Sequence, residues 1–284
     1  MHTSTPTTPI TPTARTASAW VKTGIGLVLT ALMLFPLYWM VNVSLIQRDA
    51  IRSGGLFPTS FTLDHYRVVL QDQLPYLGTS LIIGIGTVAL TLLVSAPAGY
   101  AMSSLFVPGR RVLNFCLIVA QMVPGVVMAL GFYTVYTDLG ILDTVPGLIV
   151  ADSTIAIPFG VMLFSAFMAG IPRDLLHAAA IDGASPWKTF TQVVLPISRN
   201  SAVTVSLFAF LWAWSDFIFA STLNREGGSL RPITMGLYDY IGSQNQEWGP
   251  LMATAVVASI PTAILLVVAQ RYVAAGVTAG AVKD

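Results

Sequence analysis

Residues 80–103 read SLIIGIGTVALTLLVSAPAGYAMS, a stretch with no charged side chain that is long enough, as a helix, to cross the hydrocarbon core of a bilayer. Five runs of similar character accompany it, at about Gly24 to Ile46, Val112 to Tyr136, Gly147 to Ile171, Ser201 to Leu223 and Pro250 to Ala269. The composition agrees: 55% of the 284 residues are hydrophobic and 10% charged, against about 25% charged in an ordinary soluble domain. The expected fold is all-α, a polytopic membrane bundle of six transmembrane helices with one long loop at 172–200. Arg15 and Lys22 before the first run give it the look of a signal peptide, but it is of bilayer length and exits at Gln47, Arg48 and Asp49 rather than at small residues. It is expected to be an uncleaved span.

Six spans put both termini on one side. The link 104–111 holds Arg110 and Arg111, the link 172–200 holds Arg173, Lys188 and Arg199, and the end of the chain holds Arg271 and Lys283, whereas the link 137–146 has Asp138 and Asp143 and no basic residue. The positive-inside rule then assigns the termini and the 172–200 loop to the cytoplasm. Arg48, Arg52 and Arg67 in the first external loop run against the rule, accompanied by Asp49, Asp64 and Asp72.

Residues 1–19, rich in Thr, Pro, Ser and Ala, read as a disordered cytoplasmic tail, and 20–284 as one membrane domain. A net charge of +1 gives no indication of nucleic acid. Cys116 alone makes no disulfide framework, and His2, His65 and His177 are too scattered for a histidine site, so no metal is expected.

Several features inside the runs bear on packing or transport. Pro36, Pro97, Pro124, Pro158 and Pro261 fall in five of them and should kink the helices, either for packing or for gating. Gly84, Thr87, Thr91 and Ser95 form a narrow small-residue stripe on the second run, as do Ser206, Ala209, Ala213, Asp216 and Ala220 on the fifth, which points to close helix packing. Asp152 and Asp216 are the carboxylates within the runs and should face protein or a wet cavity rather than lipid. Asp216 lies in Trp212-Ala213-Trp214-Ser215-Asp216-Phe217, where aromatic faces beside an acid suit sugar hydroxyls and ring C–H faces, or else form an interfacial aromatic belt. Gln121, next to Pro124 and Gly125, either lines a path or bonds a neighbouring helix. The candidate solute path is therefore Gln121, Asp152, Trp214, Ser215 and Asp216. In the external loop 224–249, Gly227, Gly228, Gly236 and Gly242 read as flexible points, and Tyr238, Tyr240 and Trp248 as stacking faces.

The 172–200 link is too long for a bare connection. Pro172 can open a short helix through about Ile181 with Leu175, Leu176, Ala179 and Ile181 on an apolar side; Asp182-Gly183 breaks it. Ser185 and Pro186 can start a second helix with Trp187, Phe190 and Val194 on one stripe, which Pro196 ends. Such a pair lies on a membrane surface or docks into a groove on a cytosolic partner, and the mechanics of the loop do not choose between them.

Within that loop, HAAAIDGASPWKTFTQVVLP, residues 177–196, resembles the signature loop of bacterial ABC importer permeases, written E-A-A, three residues, G, nine residues, I-x-L-P. Ala178, Ala179, Gly183, Leu195 and Pro196 occupy matching positions, Val193 replaces Ile, and His177 stands where the family has Glu. LFPLYWMVNVSL (34–45), LFPTSFTLDHYRVVL (56–70), QMVP (121–124), WSDFIFASTL (214–223) and QRYVAAGVTAGAVKD (270–284) are similar to maltose-type carbohydrate permeases, specifically their second permease subunit. The family more often shows W-N-E-F where this chain has Trp214 to Phe217.

The resemblance implies a bacterial cytoplasmic-membrane subunit, not itself an enzyme, that forms half of a carbohydrate pathway. Its implied partners are a second permease subunit in a heterodimer, a cytosolic ATPase dimer and an extracytoplasmic solute-binding protein. His177, Ala178, Ala179, Asp182, Gly183, Ala184, Leu195 and Pro196 would face the ATPase, and Tyr238, Tyr240 and Trp248 the binding protein. No G-x-x-x-x-G-K-[ST] phosphate loop occurs, so ATP is expected on a partner subunit and no cofactor on this chain. Branches of the family that carry polyols, glycerol phosphodiesters or polyamines leave another solute open. A secondary transporter using Asp152 and Asp216 as coupling-ion ligands, or a membrane scaffold, would leave the signature loop unexplained.

Overall fold

The computed structural model describes residues 13–53, 55–57, 60–225, 230–242 and 247–281. They form thirteen helical segments: α1 (Thr13–Ser44), α2 (Asp64–Asp72), α3 (Leu74–Ser104), α4 (Arg110–Gln121), α5 (Gly125–Leu139), α6 (Val145–Met168), α7 (Arg173–Ile181), α8 (Pro186–Thr189), α9 (Leu195–Ile197), α10 (Arg199–Ser215), α11 (Ile218–Leu223), α12 (Ile233–Gly242) and α13 (Trp248–Ala281). A turn of 3₁₀ helix at Arg48–Ser53 follows α1, and one π-helical turn, Phe190–Val194, joins α8 to α9. Helix α1 takes in residues 13–19, expected to be tail; the chain has no proline between Pro12 and Pro36 to stop the helix extending backwards from its apolar part.

Among the described residues, four helices are long and apolar enough to cross a membrane, at Ala19–Ser44, Leu74–Ser104, Val145–Met168 and Trp248–Gln270. Two bent pairs bring the number to as many as six if each is one span. The run 112–136, expected to be one kinked span, is α4 and α5 meeting at 95°. Proline explains the break: Pro124 lacks the amide hydrogen to continue α4, and its ring disfavours the helical region for Val123, so it becomes the extended residue before α5. The run 201–223 is likewise interrupted, since α10 stops at Ser215, Asp216 is extended with ψ 129°, and α11 is a separate short helix. Ahead of α10, residues 186–197 meet it at 78°.

Helix α3 packs along α6 and α10 at the centre of the bundle, and α13 lies between α1 and α10. Small residues set these distances. A Cβ on Gly99 would lie 2.4 Å from Phe164 Cβ, and one on Gly160 would lie 2.7 Å from Ser95 Oγ. The stripe expected on α3 is the buried one: Thr87, Thr91 and Ser95 have no exposed surface. Gly99→Ala is therefore expected to force α3 and α6 apart and lower the thermal midpoint of the detergent-solubilised chain, an overpacking cost of about 1–3 kcal/mol. Gly78→Ala, on the same helix with nothing within 4 Å of the added carbon, is the control and should leave the midpoint where it is.

Apolar clusters lie towards the two ends of this core. One gathers Ile83, Ala129, Tyr136, Leu148, Ala213, Phe219 and Leu223, and the other Tyr100, Phe164, Met168, Phe190, Val194 and Val205. The second ties the 172–200 loop to the bundle, because Phe190 and Val194 come from that loop.

Candidate functional site

The 172–200 loop folds as two short helices about a glycine bend. Ser185 caps α8 by accepting a hydrogen bond from the Lys188 amide at 3.3 Å, with Pro186 in the first turn. Helix α7 ends with the Ala184 amide donating to the Ala179 carbonyl at 2.9 Å and the Gly183 amide to that of Ala180 at 3.1 Å. Gly183 sits between them at φ +75°, the left-handed conformation this closure requires.

One side of this unit is anchored. Phe190 stacks on Tyr100 of α3 with ring centroids 5.4 Å apart, Val194 is fully buried, and Leu176 packs on the same cluster. The other side is bare: Ile181 is 85% exposed, Trp187 65% and Leu175 45%. Of the residues expected to meet a partner, His177, Ala178, Asp182 and Gly183 are exposed and Ala179 and Ala184 partly so. Leu195 packs against the anchoring cluster, and Pro196 lies two residues before the bend at Ser198. An exposed, rigidly held apolar helix suits insertion into a groove.

The break in the fifth run is held by Asp216. Its carboxylate accepts the Phe219 amide at 3.2 Å and the Ala220 amide at 2.9 Å, capping α11. Its backbone carbonyl accepts the Thr234 hydroxyl at 2.7 Å, tying the break to α12. Trp214 is buried against the chain's own α13: its ring stacks on Phe210 at 5.3 Å and its Nε1 donates to the Ala258 carbonyl at 3.1 Å. That carbonyl is one residue along from Val257, whose intrahelical donor Pro261 removes. Trp212 and Phe217 flank the break and are more exposed than Trp214. The Ser215 hydroxyl donates to the Leu211 carbonyl at 2.8 Å. Gln121 ends α4 at the 95° bend, its amide 3.3 Å from the Leu117 carbonyl and 3.2 Å from Met162 Sδ of α6.

Asp152 is buried in α6 with 1% exposure. Gly86 of α3 lies against Ile149, and Ser95 against Gly160, so α3 and α6 run in register and Thr87 is level with Asp152. Among the described residues, Asp152 Oδ1 and Thr87 Oγ1 have no hydrogen-bond partner. The sequence pattern assigns Thr87 to the packing stripe of α3 and gives no sign that it stands level with Asp152.

The external segment differs from the flexible loop expected. Gly227 and Gly228 lie outside the described residues, and Gly236 is within α12, where a Cβ would lie 1.9 Å from Gln73 Oε1. Glycine serves close packing there, not freedom. Helix α12 is fixed at its start by the Ile233 amide donating to Ser80 Oγ at 2.8 Å, and along its length by an Arg231 to Asp239 ion pair with N to O distances of 3.0 and 3.1 Å. Tyr238 is half exposed, its ring 5.2 Å from Phe217 at the helix break; Trp248 is similarly exposed at the start of α13. Tyr240 is partly buried, and that burial raises its phenol above its ordinary value, opposed by hydrogen bonding to Gln73 and Thr254.

Comparison with known proteins places this architecture. Residues 93–279 match the family of binding-protein-dependent transport system inner membrane components. The chain is 30% identical over 273 residues to the trehalose transport system permease protein SugB of Mycobacterium tuberculosis, covering 95% of this chain and 99% of that one. It is 30% identical to the trehalose/maltose transport system permease protein MalG of Thermococcus litoralis, over 91% of this chain and 95% of that one. A subunit in the crystal structure of a bacterial ABC transporter that imports the acidic polysaccharide alginate superposes with a TM-score of 0.77 at 22% identity, over 93% of this chain and 99% of that one, a likeness of fold. With the signature loop folded as two helices about Gly183 and the match running through most of the bundle, the chain belongs to the inner membrane permease components of binding-protein-dependent ABC transporters.

Proposed function

We propose that this chain is the second permease subunit of an importer for a neutral carbohydrate in a bacterial cytoplasmic membrane, with its termini and the 172–200 loop in the cytoplasm. The observation that carries the reading is the bare apolar side of that loop, Leu175, Ile181 and Trp187, on a unit anchored to α3 by Phe190. An ATPase groove would cover those side chains, and movement of the ATPase would reach the core through Phe190 and Val194. The partners are a sister permease, two copies of the ATPase, and an external solute-binding protein that meets α12 near Tyr238 and Trp248, with Tyr240 behind them. The carbohydrate class rests on the trehalose and trehalose/maltose relatives.

The path through the subunit would run past Gln121 at the α4–α5 bend, the α10–α11 break at Ser215 and Asp216, and Asp152 with Thr87. Each bend puts backbone polar groups where neighbouring protein or a wet cavity must satisfy them. Trp214 would support the wall of that path from behind, through α13.

Uptake by vesicles reconstituted with and without the ATPase and binding protein tests the reading: transport should require both and survive collapse of ion gradients. Transport that follows a gradient without the ATPase would reject it. Orientation is tested separately, by thiol labelling of single cysteines in intact cells. Cysteines at 110 and 188 should be shielded from an impermeant reagent and those at 142 and at the exposed Ile241 position of α12 reached by it, and labelling at 188 from outside would overturn the topology.

A further inference from the structure

A cavity of about 490 Å³ opens between the α5–α6 turn and the end of α11, lined by Tyr133, Leu142, Asp143, Thr222, Leu223 and Arg225. Its size lies within the range of about 300–1,000 Å³ found for small-ligand sites. The turn that forms it is unusually determined. Gly140 ends α5 at φ +66°, the Ile141 amide donates to the Tyr136 carbonyl at 3.0 Å, and Thr144 caps α6 by accepting the Gly147 amide at 3.1 Å. Between them Asp143 is held at φ 57°, the one non-glycine residue at positive φ among those described. Its amide donates to the Leu223 carbonyl at 2.8 Å, which locks the turn to the end of α11. Aspartate is one of the few non-glycine residue types that accept this left-handed geometry, which suits it to the position.

We propose that this cavity is an outer subsite that receives a neutral polyhydroxylated solute before it reaches the helix breaks. The chemistry of the lining selects that class. Asp143 and Arg225 carry opposite charges, so the lining has no net charge to draw in an ion of either sign, whereas hydroxyl groups can donate to the carboxylate and accept from the guanidinium. Thr222 adds a hydroxyl that does both, and the half-exposed ring of Tyr133 offers an apolar face for sugar C–H groups. Thr222 lies in the last turn of the six-residue helix α11 whose first amides the Asp216 carboxylate accepts, so the subsite and the break adjoin opposite ends of one short element. The proposal rests on the importer reading and on the orientation given above.

The test uses the assembled transporter with Cys116→Ser and Thr222→Cys, labelled by an impermeant maleimide first without binding protein and then, in a separate arm, with binding protein and no sugar. Trehalose, maltose and cellobiose serve as neutral probes and glutamate and spermidine as charged ones. At least one neutral sugar is expected to slow labelling at 222 severalfold without affecting a control cysteine at the exposed Asp138 position, and that protection should disappear when Tyr133→Ala and Arg225→Gln are added. Protection by none of the sugars overturns the proposal, as does equal protection by the charged probes. Protection by the binding protein alone would make the cavity a protein-docking surface instead. ATP-driven uptake by the same preparation is read in parallel, so that active transport without sugar protection rejects the subsite and leaves the importer reading standing.

Discussion

Vesicles carrying Gly183→Val are expected to lose ATP-driven uptake by about tenfold or more, with the chain still in the membrane and the ATPase no longer co-purifying. Gly183 holds φ +75°, and an added Cβ meets nothing within 4 Å. The substitution therefore strains the backbone and disturbs no packing. A left-handed conformation costs an L-residue about 1–2 kcal/mol, and more for a β-branched one. Each 1.4 kcal/mol or so is tenfold in the population of the native bend. With the bend lost, the amides of Gly183 and Ala184 no longer close α7, and the angle between α7 and α8 is released. Gly183→Asn separates this account from a general intolerance of the loop, since asparagine accepts left-handed geometry and should retain most uptake. Ala179→Glu places a charge beside the docking face and should weaken ATPase binding, because burying it without a partner is unfavourable. His177→Glu, on the exposed side of α7, should be tolerated. Normal uptake and co-purification in both Gly183→Val and Ala179→Glu would mean that the loop only lies on the membrane.

The helices that were legible in sequence are those whose evidence is local. Bilayer-length apolar runs located α1, α3, α6 and α13, and the cap at Ser185 and the glycine at 183 were readable because both act through adjacent backbone groups. The two interrupted runs were less legible, since hydropathy averages over a break: Met122 and Val123 are as apolar as the helices they separate. Pro124 was visible as a kink, but whether a proline kinks or breaks a helix depends on what repacks around it, as Pro97 and Pro158 remain inside continuous helices. Gly236 read as flexible for a related reason: glycine serves freedom and close approach alike, and only the position of Gln73 decides. The cavity beside Asp143 was out of reach, because its lining comes from α5, the following turn and the end of α11, up to 92 residues apart in the chain between Tyr133 and Arg225.

Asp216 is where the sequence expectation and the structure give separable outcomes. Read as a path residue, its carboxylate meets solute; in the structure both of its oxygens are engaged by backbone amides at the start of α11. Asp216→Leu removes both acceptors, at a cost of about 0.5–2 kcal/mol for a lost cap. It leaves the Thr234 link, which uses the backbone carbonyl. The expected result is loss of uptake together with a fall of several degrees in the thermal midpoint of the purified transporter. Asp216→Asn keeps one acceptor oxygen but turns an NH₂ group towards the second amide, so it should show partial uptake and an intermediate midpoint. A residue that acted only on solute would lose uptake in Asp216→Leu at an unchanged midpoint. One that merely anchored an interfacial belt would leave uptake normal in both variants. Because Tyr238 of α12 packs on Phe217 and Thr234 on the Asp216 carbonyl, the cap also fixes where α12 stands. Stimulation of ATPase activity by the binding protein should therefore fall in parallel with the midpoint across the series from wild type through Asp216→Asn to Asp216→Leu. Full stimulation in Asp216→Leu would show that α12 is positioned without the cap, through Ser80 and the Arg231 to Asp239 pair alone.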